Sequence, residues 1–241
     1  MPDSILPLQA RELCYQVNGT PLIDRISLTV DVGGFTVVIG PNGAGKSLLL
    51  RLLHGLIEPN SGRVEWAGGT ASNGVLRMRQ AMVFQRPVLL RRSVEANIVY
   101  ALKWLGVPRA DRAAAIDAAL ERAGLADRRR AQARLLSVGE QQRLVVARAL
   151  AGKPDVLFLD EPTASLDPAS VQQIETLLLE ANAAGTAIVL VTHDTGQARR
   201  LGRDIVFVHR GRLTEKAPAE AFFDRPESPE ATAYLNGEII V

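Results

Sequence analysis

Cysteine is almost absent from this 241-residue sequence, in which Cys14 is the single thiol. One cysteine cannot form a disulfide within the chain, and it has no second thiol with which to build a cysteine-based metal site. Disulfides are typical of oxidising compartments, so their exclusion favours a reducing one. We therefore expect a cytosolic protein in which Cys14 is a small, buried apolar residue.

Long hydrophobic runs and a strong net charge are missing as well. The longest apolar runs, TAIVLV (186–191) and FTVVIG (35–40), are far shorter than the ~20 residues that a membrane helix needs. The opening MPDSILPLQAREL lacks the basic and apolar segments of a secretory signal. A formal charge of +2, with both signs interspersed, disfavours nucleic acid as the main partner. Any role at a membrane is therefore expected to depend on a partner.

Short apolar and β-branched runs recur along the chain and predict a sheet. They are ELCYQV (12–17), RISLTV (25–30), FTVVI (35–39), GRVEW (62–66), AMVF (81–84), VLFL (156–159), AIVLVT (187–192) and DIVFV (204–208). Several are continuously apolar, which is typical of strands covered on both faces. Helix-like patterns at 47–57, 170–184 and 195–202 alternate with them, so we predict an α/β fold.

Residues 93–152 have a different pattern. They contain almost no strand-like run and are rich in Ala, Leu, Arg and Glu, as in RAAAIDAALERAGL (112–125) and EQQRLVVARALAG (140–152). This composition predicts an all-helical insertion, after which the core resumes at KPDVLFLD. Near the C-terminus, PESPEAT is expected to be a loop.

The segment GPNGAGKS at 40–47 fits the phosphate-loop pattern and lies between a predicted strand and a predicted helix. Its glycines permit a tight loop with inward-facing amides, and the helix N-terminus adds about half a positive charge. Lys46 would reach the β- and γ-phosphates of a nucleotide, and the Ser47 hydroxyl would bind Mg²⁺. A glycine turn before a helix is the structural alternative, which this strand–loop–helix context disfavours.

Two acids end the apolar strand in VLFLDEP (156–162). An apolar core cannot hold unpaired charge, so such a position needs cations nearby. Asp160 is the natural partner of Mg²⁺, and Glu161 would face the γ-phosphate, where a carboxylate can deprotonate an attacking water. Solvated acids at a strand end are the alternative; the phosphate loop favours the magnesium site.

A second turn of glycine and serine, in LLSVGEQQR (135–143), lies far from the phosphate loop. With GPNGAGKS, LLSVGEQQR and VLFLDEP in this order, the chain resembles the nucleotide-binding subunits of ATP-binding cassette (ABC) transporters over nearly its whole length. In that family the turn is the signature motif. Val138 stands here for the usual first glycine and Glu140 for the frequent glutamine, while Ser137 and Gly139 keep the hydroxyl and the close backbone approach.

The resemblance implies a P-loop NTPase with a mostly parallel sheet core (about 1–87 and 153–241), an N-terminal antiparallel β subdomain and an inserted all-helical subdomain (about 88–152). It implies a head-to-tail homodimer in which the signature motif of one copy covers the ATP of the other. Membrane permease subunits are the further partners, and an extracytoplasmic substrate-binding protein acts through them. The chain would then lie peripherally on the cytoplasmic face of the cell membrane.

The resemblance also assigns individual residues. Tyr15 matches the aromatic that stacks on adenine, Gln85 the glutamine that links Mg²⁺ and water to the transporter interface, and His193 the histidine at the γ-phosphate. The SLD segment (165–167) matches the loop that crosses between subunits, whereas His54 lacks such support and is expected to be structural. The implied catalytic residues are Lys46, Glu161 and His193, and those of Mg²⁺ are Ser47, Gln85 and Asp160. The implied ATP-binding residues are Tyr15, Gly40, Pro41, Asn42, Gly43, Ala44, Gly45, Lys46, Ser47, Leu48, Gln85, Ser137, Gly139, Glu140 and Asp160.

Two other classes of protein would share the phosphate loop. Soluble cassette ATPases of DNA repair or translation usually carry two cassettes or a long coiled coil, neither of which is present in this sequence. A small-molecule kinase would not explain LLSVGEQQR. The segment RPVLLRRSVEANIVYAL (86–102) suits contact with a helix of a membrane subunit, or is an ordinary amphipathic helix start.

The cargo can be inferred by resemblance alone, because a cassette does not touch it. The segments MVFQRPVLLRRSVEANI (82–98) and APAEAFFDRPESPEATAYLNGEI (217–239) resemble cassettes of bacterial oxyanion importers. Tungstate is the expected cargo, and phosphate, molybdate or another solute are the alternatives.

Overall fold

The computed structural model describes residues 4–67 and 73–238. Its strands are β1 Leu8–Val17, β2 Thr20–Val30, β3 Phe35–Ile39, β4 Ser61–Trp66, β5 Gln80–Val83, β6 Val156–Asp160, β7 Ala187–Val191, β8 Asp204–His209 and β9 Arg212–Pro218. Its α-helices are α1 Lys46–His54, α2 Asn73–Arg79, α3 Val94–Trp104, α4 Arg109–Arg122, α5 Val138–Leu150, α6 Pro168–Ala183, α7 Thr195–Leu201, α8 Ala219–Asp224 and α9 Pro229–Leu235.

The larger sheet has the strand order β5-β6-β7-β3-β8-β9 and is parallel except for the β8–β9 pair. Every residue of β3, β6 and β7 is buried. Helix α1 and the smaller sheet share a hydrophobic core on one face, and α5, α6 and α7 share another on the opposite face. Burial on both faces explains why these strands are continuously apolar in sequence.

The smaller sheet is antiparallel, with the order β2-β1-β4. Helices α3, α4 and α5 form the helical insertion around a separate cluster that includes Ile98, Leu102, Leu120 and Leu144. The mostly parallel core, the antiparallel N-terminal sheet and the inserted helices confirm the predicted fold class.

Some local expectations differ from the structure. PESPEAT was expected to be a loop, but its second half opens α9, because the Ser228 hydroxyl accepts a hydrogen bond from the Ala231 amide and Pro229 takes the first helical position. Strand β9 and helices α2 and α8 are absent from the sequence-based assignment. Of the segments singled out in the sequence, the first three residues of the opening stretch and position 239 of the C-terminal stretch lie outside the described residues.

The topology brings the chemically important loops to one edge of the larger sheet. Strands β3, β6 and β7 are neighbours and parallel, so their carboxyl ends lie together. Ligands bind at this edge in open α/β sheets. Within 4–67 and 73–238, no helix combines the length and apolar character needed to cross a bilayer.

Candidate functional site

The phosphate loop joins β3 to α1 and depends on glycine. Gly40, Gly43 and Gly45 all have positive φ angles, of 148°, 78° and 100°. A Cβ on Gly40 would lie 2.0 Å from the carbonyl oxygen of Val208, so a larger residue cannot fit there. Gly45 is the N-cap of α1 and brings no side chain to its free amides. These amides are therefore available to an anion.

Lys46 is folded onto the loop that precedes it. Its side chain is almost fully buried, and Nζ donates hydrogen bonds to the carbonyl oxygens of Gly40 at 2.8 Å and Pro41 at 2.9 Å. Burial lowers the pKa of Lys46, an effect opposed by the carboxylates of Glu161 and Asp160. The ammonium group is thus held beside the loop amides by two neutral acceptors.

The side chains of Ser47 and Asp160 bring two oxygen atoms together next to the phosphate loop. The Ser47 hydroxyl donates a hydrogen bond of 2.7 Å to Oδ1 of Asp160. Asp160 is only 5% exposed; burial raises its pKa, and the hydrogen bond from Ser47 opposes this shift. A hydroxyl and a buried carboxylate are hard oxygen ligands, so this pair fits Mg²⁺.

Glu161 connects two further residues expected at the site. Its Oε2 accepts a hydrogen bond from Nε2 of Gln85 at 3.4 Å and lies 3.1 Å from Nδ1 of His193. Glu161 has a left-handed backbone with a φ of 46°, which is uncommon for a residue with a Cβ. Its amide donates to the Val191 carbonyl at 2.9 Å, so the neighbouring strand holds this strained conformation in place.

These groups, apart from Asp160, line a cleft of about 850 Å³, here called the phosphate cleft. It is lined by Leu22, Gly40, Pro41, Asn42, Gly43, Ala44, Gly45, Lys46, Ser47, Leu48, Arg51, Gln85, Glu161, Ala164, Ser165, His193 and Tyr234. Leu22, Arg51, Ala164 and Tyr234 were missed by the sequence analysis. Tyr234 lies on α9, whose proline-rich start was taken for a loop.

Tyr15 is not among the described lining residues of the phosphate cleft. It lies on β1 opposite Ile23 and packs, partly buried, against the core next to the small sheet. Leu22, the neighbour of Ile23 on β2, does line the cleft. The assigned contact of Tyr15 with adenine therefore stays a prediction.

The signature motif also lies away from the cleft of its own chain. Ser137 is the exposed N-cap of α5, and its hydroxyl accepts from the Glu140 amide at 3.2 Å. The Glu140 carboxylate accepts in return from the Ser137 amide at 2.8 Å, and this backbone hydrogen bond is the main cause that lowers the pKa of Glu140. This capping box moves the start of α5 to Val138, earlier than the start near Glu140 that the sequence suggested.

Gly139 has a packing role within the chain. A Cβ at this position would lie 2.2 Å from Oγ of Ser170, in the first turn of α6. The glycine thus allows α5 and α6 to meet closely. Next to it, Leu135 and Val138 are 81% and 60% exposed, so the turn presents apolar side chains to its surroundings.

A family model described as ABC transporter matches residues 23–164, more than half of the chain. The chain is 41% identical over 206 residues to the tungstate uptake system ATP-binding protein TupC of Peptoclostridium acidaminophilum, covering 85% of this chain and 94% of that protein. It is 37% identical over 240 residues to the phosphate import ATP-binding protein PstB 2 of Natronomonas pharaonis, covering 92% of this chain and 84% of that protein.

A solved structure has the same fold. It is cbiO1 from Clostridium perfringens, part of the ABC transporter complex cbiONQ, with a TM-score of 0.82 and 30% identity over 93% of this chain and 92% of that chain. Phosphate loop, carboxylate pair and signature turn therefore occur here in the family context that their order suggested. The chain belongs to the ABC transporter family, as an ATP-binding subunit that hydrolyses ATP.

Proposed function

We propose that this chain is the ATP-hydrolysing subunit of a membrane importer for an oxyanion such as tungstate. The proposal of ATP hydrolysis rests on one observation. Lys46, Glu161 and His193 line the same cleft as the phosphate loop. Tungstate is favoured by the relative with 41% identity, and phosphate is the alternative favoured by the relative with 37%. The working unit is one ABC ATPase domain, with the core at about 1–87 and 153–241 and the helical subdomain at about 88–152.

ATP would bind with its phosphates on the loop amides. Lys46 would exchange the carbonyl oxygens of Gly40 and Pro41 for the β- and γ-phosphate oxygens, which are stronger acceptors. Ser47 and Asp160 would hold Mg²⁺, with Gln85 nearby, and the ion would neutralise charge on the phosphates. Tyr15 would stack on the adenine from the small sheet.

Glu161 is the proposed general base. Its side chain lines the cleft, where the carboxylate can accept a proton from a water that attacks the γ-phosphate. His193 contacts the same carboxylate oxygen and would position the γ-phosphate and the water. Hydrolysis and phosphate release would remove negative charge from the site. This loss would weaken the dimer contact that the charge held together.

The signature motif is proposed to act on a second copy of the chain. Ser137, Gly139 and Glu140 form a helix start that the phosphate cleft of the same chain does not include, and Ser137 is exposed there. A helix start binds anions, so in a head-to-tail homodimer this turn can cover the phosphates of the partner's nucleotide. Leu135 and Val138, both well exposed, would be buried in the same contact.

A second cleft, the apolar groove, is the proposed docking site for a permease subunit. It measures about 900 Å³, and its lining includes Leu52, Ile57, Val64, Trp66, Leu76, Met82, Phe84, Trp104 and Val145. Arg63, Arg77 and Arg148 also line it, against the single acid Glu58 among its described lining residues. Apolar walls with basic groups suit an amphipathic helix that carries acidic residues. Docking there would hold the chain peripherally on the cytoplasmic face of the membrane, with an extracytoplasmic binding protein acting through the permease.

The proposal is tested with Glu161→Gln. This change keeps the shape of the side chain and removes its basicity, so ATP binding should persist while turnover falls by roughly 10²-fold or more. The slow variant should form a dimer with ATP on size-exclusion chromatography. Adding Ser137→Arg should abolish that dimer and leave nucleotide binding intact, whereas Thr176→Arg, at an exposed position of α6, is the control that should still dimerise.

Near-normal turnover of Glu161→Gln would remove Glu161 as the base. An unchanged dimer with Ser137→Arg would contradict the head-to-tail arrangement.

A further inference from the structure

Tyr234 lines the phosphate cleft and contacts the loop that follows β7. Its hydroxyl donates a long hydrogen bond, of 3.4 Å, to the carbonyl oxygen of His193. Gly40, which opens the phosphate loop after β3, lines the same cleft. One side chain therefore holds the backbone of His193 at the cleft that the phosphate loop forms.

The ring of Tyr234 is held by the core independently of its hydroxyl. It packs on Phe207 of β8 with the ring centroids 5.4 Å apart, and Phe207 in turn packs on Phe222 at 6.1 Å. Aromatic pairs in this range of separation attract one another. A phenylalanine at position 234 would therefore keep the packing and lose the hydrogen bond to His193.

Helix α9, which carries Tyr234, is fixed to the sheet by a buried acid. Glu215 on β9 is only 6% exposed, and its Oε2 accepts from the amide and the hydroxyl of Ser228, both at 2.8 Å. Its Oε1 accepts from the Glu227 amide at 3.0 Å. These hydrogen bonds anchor the start of α9, and the packing on Phe207 holds the ring of Tyr234 near the end of the helix. Both contacts together determine the position of Tyr234 in the cleft.

The hydroxyl remains protonated across the ordinary pH range. Burial raises the pKa of Tyr234, and the negative charge of Glu161 adds to the effect. A neutral phenol can donate a hydrogen bond, which matches its contact with the carbonyl oxygen of His193.

We propose that Tyr234 is a positioning residue for ATP hydrolysis, whose hydroxyl fixes the backbone of His193 at the phosphate cleft. The imidazole of His193 lies 3.1 Å from Glu161, so a shift of the backbone would move the imidazole away from that carboxylate. The inference rests on the proposed roles of His193 and Glu161. Tyr234 itself acts through His193 and takes no proton from water or phosphate.

The test is the steady-state ATPase activity of Tyr234→Phe. We expect kcat to fall about three- to tenfold, the range that one neutral hydrogen bond supports, while KM for ATP and the unfolding temperature change little. Tyr100→Phe, at a tyrosine of α3 that is 51% exposed, is the matched control and should behave as the wild type. An unchanged kcat in Tyr234→Phe would overturn the proposal.

A double-mutant cycle with His193→Ala tests whether the Tyr234 hydroxyl acts through His193. If the hydroxyl acts through His193, adding Tyr234→Phe to His193→Ala should leave kcat unchanged within about twofold. A further three- to tenfold loss in the double variant would overturn the route through His193. Wild-type activity of His193→Ala alone would identify a failure of the proposed role of His193, whereas a slow His193→Ala with a fully active Tyr234→Phe would identify a failure of this inference alone.

Discussion

The phosphate cleft and the apolar groove have similar volumes, about 850 and 900 Å³, and are built in opposite ways. The phosphate cleft is lined by the backbone of a glycine-rich loop, a buried lysine and the half-buried, strained Glu161. The groove consists of aliphatic and aromatic side chains, among which Trp104 is 54% exposed. Chemistry on phosphate needs fixed charges in a low-dielectric setting, whereas recognition of a helix needs apolar area.

The largest effect is expected at Asp160, which hydrogen-bonds to Ser47 of the phosphate cleft. Asp160→Asn should keep an acceptor for Ser47 but lose the charge that Mg²⁺ requires, so turnover should fall by roughly 10²-fold or more. The stability of the folded protein should increase. Because burial raises the pKa of Asp160, its ionised form destabilises the folded state above that pKa, and the neutral amide removes this cost. The nucleotide-free variant should unfold at a higher temperature at pH 7.5, and the difference should vanish at acid pH.

Asp155→Asn is the matched control for this prediction. Asp155 accepts a hydrogen bond from the Arg79 guanidinium at 2.9 Å and another from the Ile5 amide at 2.8 Å, whereas Asp160 accepts one from the neutral hydroxyl of Ser47. Its replacement should lower the unfolding temperature. A destabilised Asp160→Asn protein would show that the two carboxylates do not differ in this way. Calorimetry of the free proteins measures both.

A smaller effect is expected at His54, which lines the groove. Burial lowers the pKa of His54 from its ordinary value near 6.5 to about 4, and its ring packs edge-on against Phe158 at 5.6 Å. In the unfolded chain His54 takes up a proton near pH 6.5, which the folded chain does not until about pH 4, so stability is lost as the pH falls through this window. The contribution between pH 7 and 5 is about 2 kcal/mol.

His54→Gln should remove this contribution. Urea unfolding at pH 7 and at pH 5 measures it as the difference between variant and wild type, because all other titrating groups are shared. The same pH dependence in both proteins would mean that His54 is not held neutral in the groove.

The smallest effect is expected on the wall of the groove. Trp104→Ser removes an exposed indole, which should reduce transport by the complex with its own membrane subunits about three- to tenfold. ATP hydrolysis by the isolated cassette should stay unchanged, because Trp104 does not line the phosphate cleft. Leu179→Ser, at an apolar residue of α6 that is 47% exposed, is the control. Equal transport by both variants would count against docking in the groove.

The sequence predicts those parts of the molecule whose structure is determined by a short continuous segment. The central strands are continuously apolar because both of their faces are covered, and GPNGAGKS contains within eight residues the glycines and polar groups of its loop. The fold class follows from these segments and from the helical composition of the insertion. The roles of Tyr15 and of the signature motif rest on resemblance and stay predictions.

Features assembled from distant segments could not be predicted in this way. Strand β9, RLTEKAP, has few buried residues and no apolar run, because it is an edge strand that pairs on one side. Tyr234 reaches the cleft because Glu215 anchors its helix from another strand, and neither residue indicates this alone. The groove collects side chains from α1, β4, α3 and α5, which only the folded chain brings together.

The close approach of Gly139 to Ser170 has a mechanical consequence. Ser170 hydrogen-bonds to Asp167, the N-cap of α6 and the last residue of the SLD segment. The signature turn therefore lies directly against the start of α6 and the loop before it, with no room for a side chain at position 139. A larger residue there would push the signature turn away from the SLD segment.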